Sequence, residues 1–212
     1  MVSQVPVLHG YRYSVYNRIA RLALAEKGVA YEQVEVDPFA PDVPPSYLAL
    51  HPFGRVPTLI HGGFTLYETQ AITRYVDRAF DGPALQPQSA MALARMDQIM
   101  GAVDSYAYWP LVRQVFSHAY FRPRRGLPGD PQEVARGLAA APKILDALQR
   151  LMAGEEFIVG PTLTLADLHL GAMLAYFIRP EEGRAMLARH AELNAWFERM
   201  AARPRFASTD PL

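Results

Sequence analysis

Arg55-Val56-Pro57-Thr58-Leu59-Ile60-His61-Gly62-Gly63-Phe64-Thr65-Leu66-Tyr67-Glu68-Thr69 decides the fold of this chain. Two short apolar runs, 56–60 and 64–67, flank His61-Gly62-Gly63. A glycine pair between two such runs marks a hairpin, because glycine alone enters positive φ freely. Thr69 then opens an amphipathic pattern that reaches about residue 80, so the segment reads β-β-α.

Working outward toward the N-terminus, 38–45 holds Pro38, Pro41, Pro44 and Pro45 and reads as irregular chain leading to a short helix over 46–50. Before it, 5–9 is an apolar run with the character of a buried strand. Ala20, Ala23 and Leu24 recur at helical spacing over 15–27, and Lys27-Gly28 has the form of a helix C-terminus. Tyr31, Val34 and Val36 suggest a second strand over 31–36. A strand-helix-strand unit of about 30 residues is the length of a right-handed crossover between parallel strands. Together β-α-β and β-β-α predict a mixed four-stranded sheet with helices against its faces.

Toward the C-terminus, Asp81-Gly82-Pro83 ends this unit, and no later segment has strand character. Helical patterns cover 90–118, which Pro110 is expected to kink, then 131–152, 164–178, 181–189 and 192–202. The expected organisation is an α/β domain over 1–82, a linker over 83–89 and an all-α domain over 90–212.

Bulk properties exclude several classes. The chain has 212 residues, 50% of them hydrophobic, which is ample for one large or two small domains. With 21 basic and 21 acidic residues it lacks the footprint of a nucleic-acid binder, and Arg122, Arg124 and Arg125 read as a solvated, proline-interrupted loop. Cysteine is absent, so any thiol in the chemistry arrives on a substrate, and no cysteine-ligated metal is expected. The stretch 1–6 lacks the features of a signal peptide, no run approaches the length needed to span a bilayer, and a cytoplasmic protein without membrane partners is expected.

Three local signals carry chemistry. His9-Gly10-Tyr11-Arg12-Tyr13-Ser14-Val15-Tyr16-Asn17-Arg18 is a polar turn between strand and helix, with Ser14 where the helix begins. There a hydroxyl either caps the helix or faces a ligand, and the helix N-terminus favours negative charge. Pro57 at the start of a strand forfeits a ladder hydrogen bond. It either opens an edge strand in trans or forms a cis peptide that turns the Val56 N–H and C=O toward a ligand. Glu68-Thr69 opens the next helix, where a carboxylate and a hydroxyl would suit an amino acid's ammonium and carboxylate or would cap the helix.

The order Ser14, Val56-Pro57, Glu68-Thr69 on this scaffold resembles the glutathione transferase family, in particular its serine-type branch with the plant phi class and bacterial relatives. Arg18-Ile19-Ala20-Arg21-Leu22-Ala23-Leu24-Ala25-Glu26-Lys27-Gly28 is similar to that family's first helix. His51-Pro52-Phe53-Gly54-Arg55-Val56-Pro57 resembles its Asn-Pro-x-Gly-x-Val-Pro segment, with His51 in place of asparagine. Gly160-Pro161-Thr162-Leu163-Thr164-Leu165-Ala166-Asp167 resembles the capping segment of its helical domain. Here Thr164 is an N-cap, Asp167 at N3 reaches back to it, and Leu163 and Leu168 form a hydrophobic staple. The resemblance implies a thioredoxin-like domain followed by an all-helical bundle, and a cytoplasmic homodimer engaged in detoxification.

The resemblance also implies a mechanism. The co-substrate is glutathione, whose thiol must be ionised to attack a hydrophobic electrophile, with no metal required. Ser14 is the expected activating residue, with Tyr11, Tyr13 and Asn17 as alternatives. By the same resemblance Arg55, Val56 and Pro57 flank the cysteinyl part of glutathione, and Glu68 and Thr69 hold the γ-glutamyl end. The lysine that grips the glycyl carboxylate in relatives is missing from Asp42-Val43-Pro44, leaving Arg12 or Arg55 to compensate. Tyr106, Trp109 and Arg113, three to four residues apart on one helical face, are expected to line the second-substrate site with Tyr13, or else to serve packing. Asp104 is a candidate to reach a partner subunit's glutathione. The alternatives are a glutathione-dependent peroxidase or isomerase, or a non-catalytic binding protein on the same scaffold.

Overall fold

The structure, a computed structural model, describes residues 5–212, so most of the 1–6 stretch read for a leader lies outside the described residues. Two compact units divide the chain. One runs to Ala84 and takes in Pro204–Leu212; the other is Leu85–Arg203.

In the first unit, β1 (Val7–Gly10), β2 (Glu32–Glu35), β3 (Thr58–His61) and β4 (Phe64–Tyr67) form one sheet in the order β2-β1-β3-β4. β1 and β2 are parallel, joined by α1 (Val15–Lys27), and the other two pairings are antiparallel. Leu8 and Leu59 pair across β1 and β3, and both are buried. α1 and α3 (Thr69–Ala79) pack on each other through apolar faces that include Ile19, Leu22, Ala23, Ile72 and Val76. The short α2 (Pro45–Leu48) takes its start from Pro45 at the first helical position, where a missing N–H costs nothing. β3 begins only after Pro57, because proline has no donor for the ladder.

The C-terminal helix Pro204–Ser208 and the residues after it join this first unit rather than the helical one to which 90–212 was assigned. Arg18, almost wholly buried on α1, is the reason. Its guanidinium stacks on Phe206 at 4.7 Å, donates to the Phe206 carbonyl at 3.2 Å, and lies 3.7 Å from the Asp210 carboxylate.

The second unit is all helix among the described residues. α4 (Ala90–Ala102) runs without a break into a π-helix, Val103–Phe121, followed by the single turn α5 (Arg122–Arg124). Pro110, expected to kink this helix, lies inside it without ending it. The chain widens into i→i+5 winding, which relieves the clash of the ring with the preceding turn. Gly137 on α6 (Pro131–Arg150) sits against this stretch: a Cβ there would lie 2.6 Å from the Pro110 carbonyl. α7 (Leu165–Phe177) is buried on every side, as a helix apolar all round must be. α8 (Glu181–Leu187) and α9 (Ala191–Ala201) complete the unit. At the start of α7, Asp167 accepts from the Thr164 N–H at 2.8 Å, as expected from its N3 position. The same carboxylate also accepts from the Ile158 N–H and the Trp196 indole at 2.8 and 3.0 Å.

Candidate functional site

Ser14 is the N-cap of α1, with extended backbone (φ −75°, ψ 125°). Its Oγ accepts from the Asn17 N–H at 3.3 Å, and its own N–H donates to the Tyr11 carbonyl at 2.9 Å. A hydroxyl that accepts through a lone pair keeps its hydrogen for another partner. Ser14 is half-buried, at a helix N-terminus whose exposed N–H groups favour an anion. Both readings of this serine, cap and ligand donor, are compatible in one geometry.

Tyr11 and Tyr13 meet edge to face at 5.4 Å, and Tyr11 also meets Phe39 at 6.1 Å. Asn17 is fully buried. Its Nδ2 donates to the Tyr11 carbonyl at 3.2 Å, so its carboxamide is spent inside the turn rather than offered to a ligand.

The Val56–Pro57 peptide is cis. Pro57 is buried, Val56 half-buried and Arg55 exposed. Tyr47, buried on α2, fixes this segment from below: its hydroxyl donates to the Arg55 carbonyl at 2.5 Å and lies 3.1 Å from Thr58 Oγ1. Burial raises the Tyr47 pKa, with the Thr58 bond opposing. Nothing in the proline-rich stretch around Tyr47 signalled this role from sequence. His9, at the end of β1, lies 5.9 Å from the Tyr47 ring, so the chain leaving β1 and the chain entering β3 are neighbours.

His51, buried, lies against Tyr67 with ring centroids 4.6 Å apart and planes tilted by 30°. Its pKa is lowered, chiefly by burial; nearby Glu68 opposes and nearby Arg55 adds to the effect.

Glu68 is the one non-glycine residue with positive φ among the described residues (φ 69°, ψ 116°). It is exposed, caps α3 without a side-chain bond, and leaves Thr69 buried beside it. An acidic residue held in a sparsely allowed conformation at a helix N-terminus costs on the order of 1–3 kcal/mol, and such strain clusters at binding sites.

In the second unit, Trp109 and Arg113 stay together, with the guanidinium 5.9 Å from the indole. In π winding, residues four to five apart share a face, so Tyr106 is offset from that pair. Tyr106 and Trp109 are both more than half exposed, at 68% and 57%. Asp104 lies 4.0 Å from His169 Nδ1 of its own chain.

Comparison with known proteins follows the same two units. Residues 8–84 match the family described as glutathione S-transferase, N-terminal domain, and residues 108–204 match glutathione S-transferase, C-terminal domain. Glutathione S-transferase F14 of Arabidopsis thaliana is 30% identical over 199 residues, covering 91% of this chain and 78% of the relative. The structure of glutathione S-transferase III in apo form superposes with a TM-score of 0.85 at 28% identity, covering 97% of this chain and 95% of that one. Glutathione S-transferase I from maize, solved with an atrazine–glutathione conjugate, gives 0.83 at 25% identity over 97% and 96%.

Proposed function

The chain belongs to the glutathione S-transferase family and is a glutathione transferase, and on that premise we propose that Ser14 is the residue that ionises the thiol, as in the family's serine-type branch. The observation that carries this reading is the position of Ser14 Oγ at the N-terminus of α1, where it accepts from the Asn17 N–H at 3.3 Å and so keeps its hydrogen to donate. A free thiol has a pKa of about 8.5, so little thiolate exists at neutral pH. Lowering it by about two units takes about 2.7 kcal/mol. A hydrogen bond donated to a charged sulfur contributes about 1.5–3 kcal/mol, and the N-terminus of α1 about 0.3–1 kcal/mol. Those magnitudes suffice without a general base. The thiol proton passes to water and the thiolate sulfur bonds to the electrophilic carbon; in a substitution the carbon–leaving-group bond breaks and the leaving group takes its bonding pair, and in an addition the displaced π pair takes a proton from water.

Glutathione is the proposed co-substrate. The cis Val56–Pro57 segment, pinned by Tyr47, offers the Val56 backbone to the cysteinyl part, flanked by Arg55. Glu68 and Thr69 are assigned to the γ-glutamyl end: the carboxylate takes the ammonium, and the first turn of α3 takes the carboxylate. Arg12 or Arg55 takes the glycyl carboxylate. Tyr13, Tyr106, Trp109 and Arg113 are assigned to a hydrophobic electrophile, for which the exposed Trp109–Arg113 stack is the support. A cytoplasmic homodimer with a detoxifying role completes the reading.

The test is the thiolate absorbance of bound glutathione across pH, in the wild type and in Ser14→Ala. A pKa well below 8.5 that rises by one to two units in the variant supports the assignment. Equal depression in both proteins moves it to Tyr11 or Tyr13.

A further inference from the structure

Between β1 and α1 the chain must hold one hydroxyl in one direction, and the residue best placed to enforce this makes no contact with the solvent. Asn17 is fully buried, an expensive place for a carboxamide unless its donors are used. Nδ2 donates to the Tyr11 carbonyl at 3.2 Å, the same oxygen that accepts the Ser14 N–H at 2.9 Å. Its main-chain N–H donates to Ser14 Oγ at 3.3 Å. Its Oδ1 has no hydrogen-bond partner and lies against Gly10, where a Cβ would approach to 2.0 Å. One residue, through its side chain to Tyr11 and its main-chain N–H to Ser14, thus ties the Tyr11–Ser14 turn to the first turn of α1.

We infer that Asn17 is a positioning residue for thiol activation: its carboxamide fixes the Tyr11–Ser14 turn so that the Ser14 hydroxyl receives the Asn17 N–H and points its own hydrogen outward. The inference rests on the reading of Ser14 given above. The logic is geometric. Ser14 Oγ accepts the Asn17 N–H through a lone pair, which aims the remaining valences of the oxygen, its hydrogen among them, away from the helix. A helix-capping serine free to rotate would divide its hydrogen between the ligand and the nearby Tyr11 carbonyl. With that carbonyl already accepting from the Asn17 carboxamide and the Ser14 N–H, the competing orientation is blocked. Gly10 is the other half of the device, since any larger residue would expel the carboxamide from its place.

The experiment measures the pKa of the bound glutathione thiolate in four proteins: wild type, Ser14→Ala, Asn17→Ala and the double variant. Affinity for S-methylglutathione, which has no thiol to ionise, is measured alongside. Asn17→Ala is expected to raise the thiolate pKa by about one unit, a tenfold weaker ionisation that leaves about a third of the thiolate at neutral pH. Affinity for S-methylglutathione should change less than threefold, which a general collapse of the site would not allow. In the Ser14→Ala background the Asn17 substitution should add no further shift, because its effect runs through the serine. Asn17→Thr serves if the alanine variant does not fold: it keeps the site nearly filled, while its shorter hydroxyl cannot reach the Tyr11 carbonyl. An unchanged thiolate pKa in the folded variant overturns the inference, as does an equal shift with and without Ser14. If Ser14→Ala itself leaves the pKa in place, the reading of Ser14 fails first, and the failure is separable from that of Asn17.

Discussion

Glu68 shows at the scale of one residue how a site is stored in the backbone. Its φ of 69° would suit glycine, yet the position carries a carboxylate at the start of α3. Strain of this kind persists only where the surrounding structure over-determines it. Replacing Glu68 with glycine is therefore expected to leave the melting temperature unchanged or higher, while the KM for glutathione rises by about tenfold. Thermal unfolding and steady-state kinetics on the same preparation check both halves. A variant that melts several degrees lower with an unaltered KM would make Glu68 a structural cap. The pair Glu68-Thr69 was legible in the sequence as a helix start beside a strand. Its positive φ was not, because a turn's backbone conformation depends on what the chain on either side is doing.

At the scale of the element, Arg18 joins α1 to the C-terminal helix. A guanidinium at almost complete burial needs compensation, and the segment from Phe206 to Asp210 supplies an aromatic face, a carbonyl and a carboxylate. Arg21 on the same helix donates to the Thr209 carbonyl at 3.3 Å, and Arg205 to the Glu26 carbonyl at 2.7 Å. The C-terminal helix is thereby fastened to α1. Arg18→Ala should lower stability by about 3 kcal/mol, combining a lost buried cation with the cavity it leaves. For a chain of this size that is a fall of roughly 6–12 °C in melting temperature. Ending the chain at Arg203 should cost a similar amount, and adding Arg18→Ala to the shortened chain should cost little more. Full additivity of the two changes would mean that the arginine and the tail act separately. The π-helix belongs to this scale too: Pro110 was a visible breaker, but whether a helix ends, kinks or widens there depends on its neighbours, here α6 approaching through Gly137.

For the whole molecule, composition makes a prediction that needs no structure. The chain has no cysteine, so turnover cannot depend on a protein thiol. Treatment with N-ethylmaleimide at neutral pH, followed by removal of the reagent, is expected to leave glutathione-conjugating activity within about twofold of the untreated enzyme. Marked inactivation would reveal a reactive nucleophile of another kind in the site and would count against a mechanism in which the only thiolate is the one glutathione brings.

What the sequence by itself determined is local or periodic. The hairpin around Gly62-Gly63, the span of α1 and the Thr164–Asp167 cap follow from interactions between residues a few positions apart, and such interactions are written in spacing; the order Ser14, Pro57, Glu68 was legible only as a resemblance to a family. Strand limits shifted by a residue or two, since pairing with a neighbour, not propensity, ends a strand. The tertiary fold alone settles that Tyr47 anchors the Arg55–Thr58 segment, that the Asn17 carboxamide donates to Tyr11, and that the C-terminal tail returns to α1. The physical reason is common to all three. A buried polar group is paired with whatever donor or acceptor the fold brings within about 3 Å, and that partner can come from anywhere along the chain.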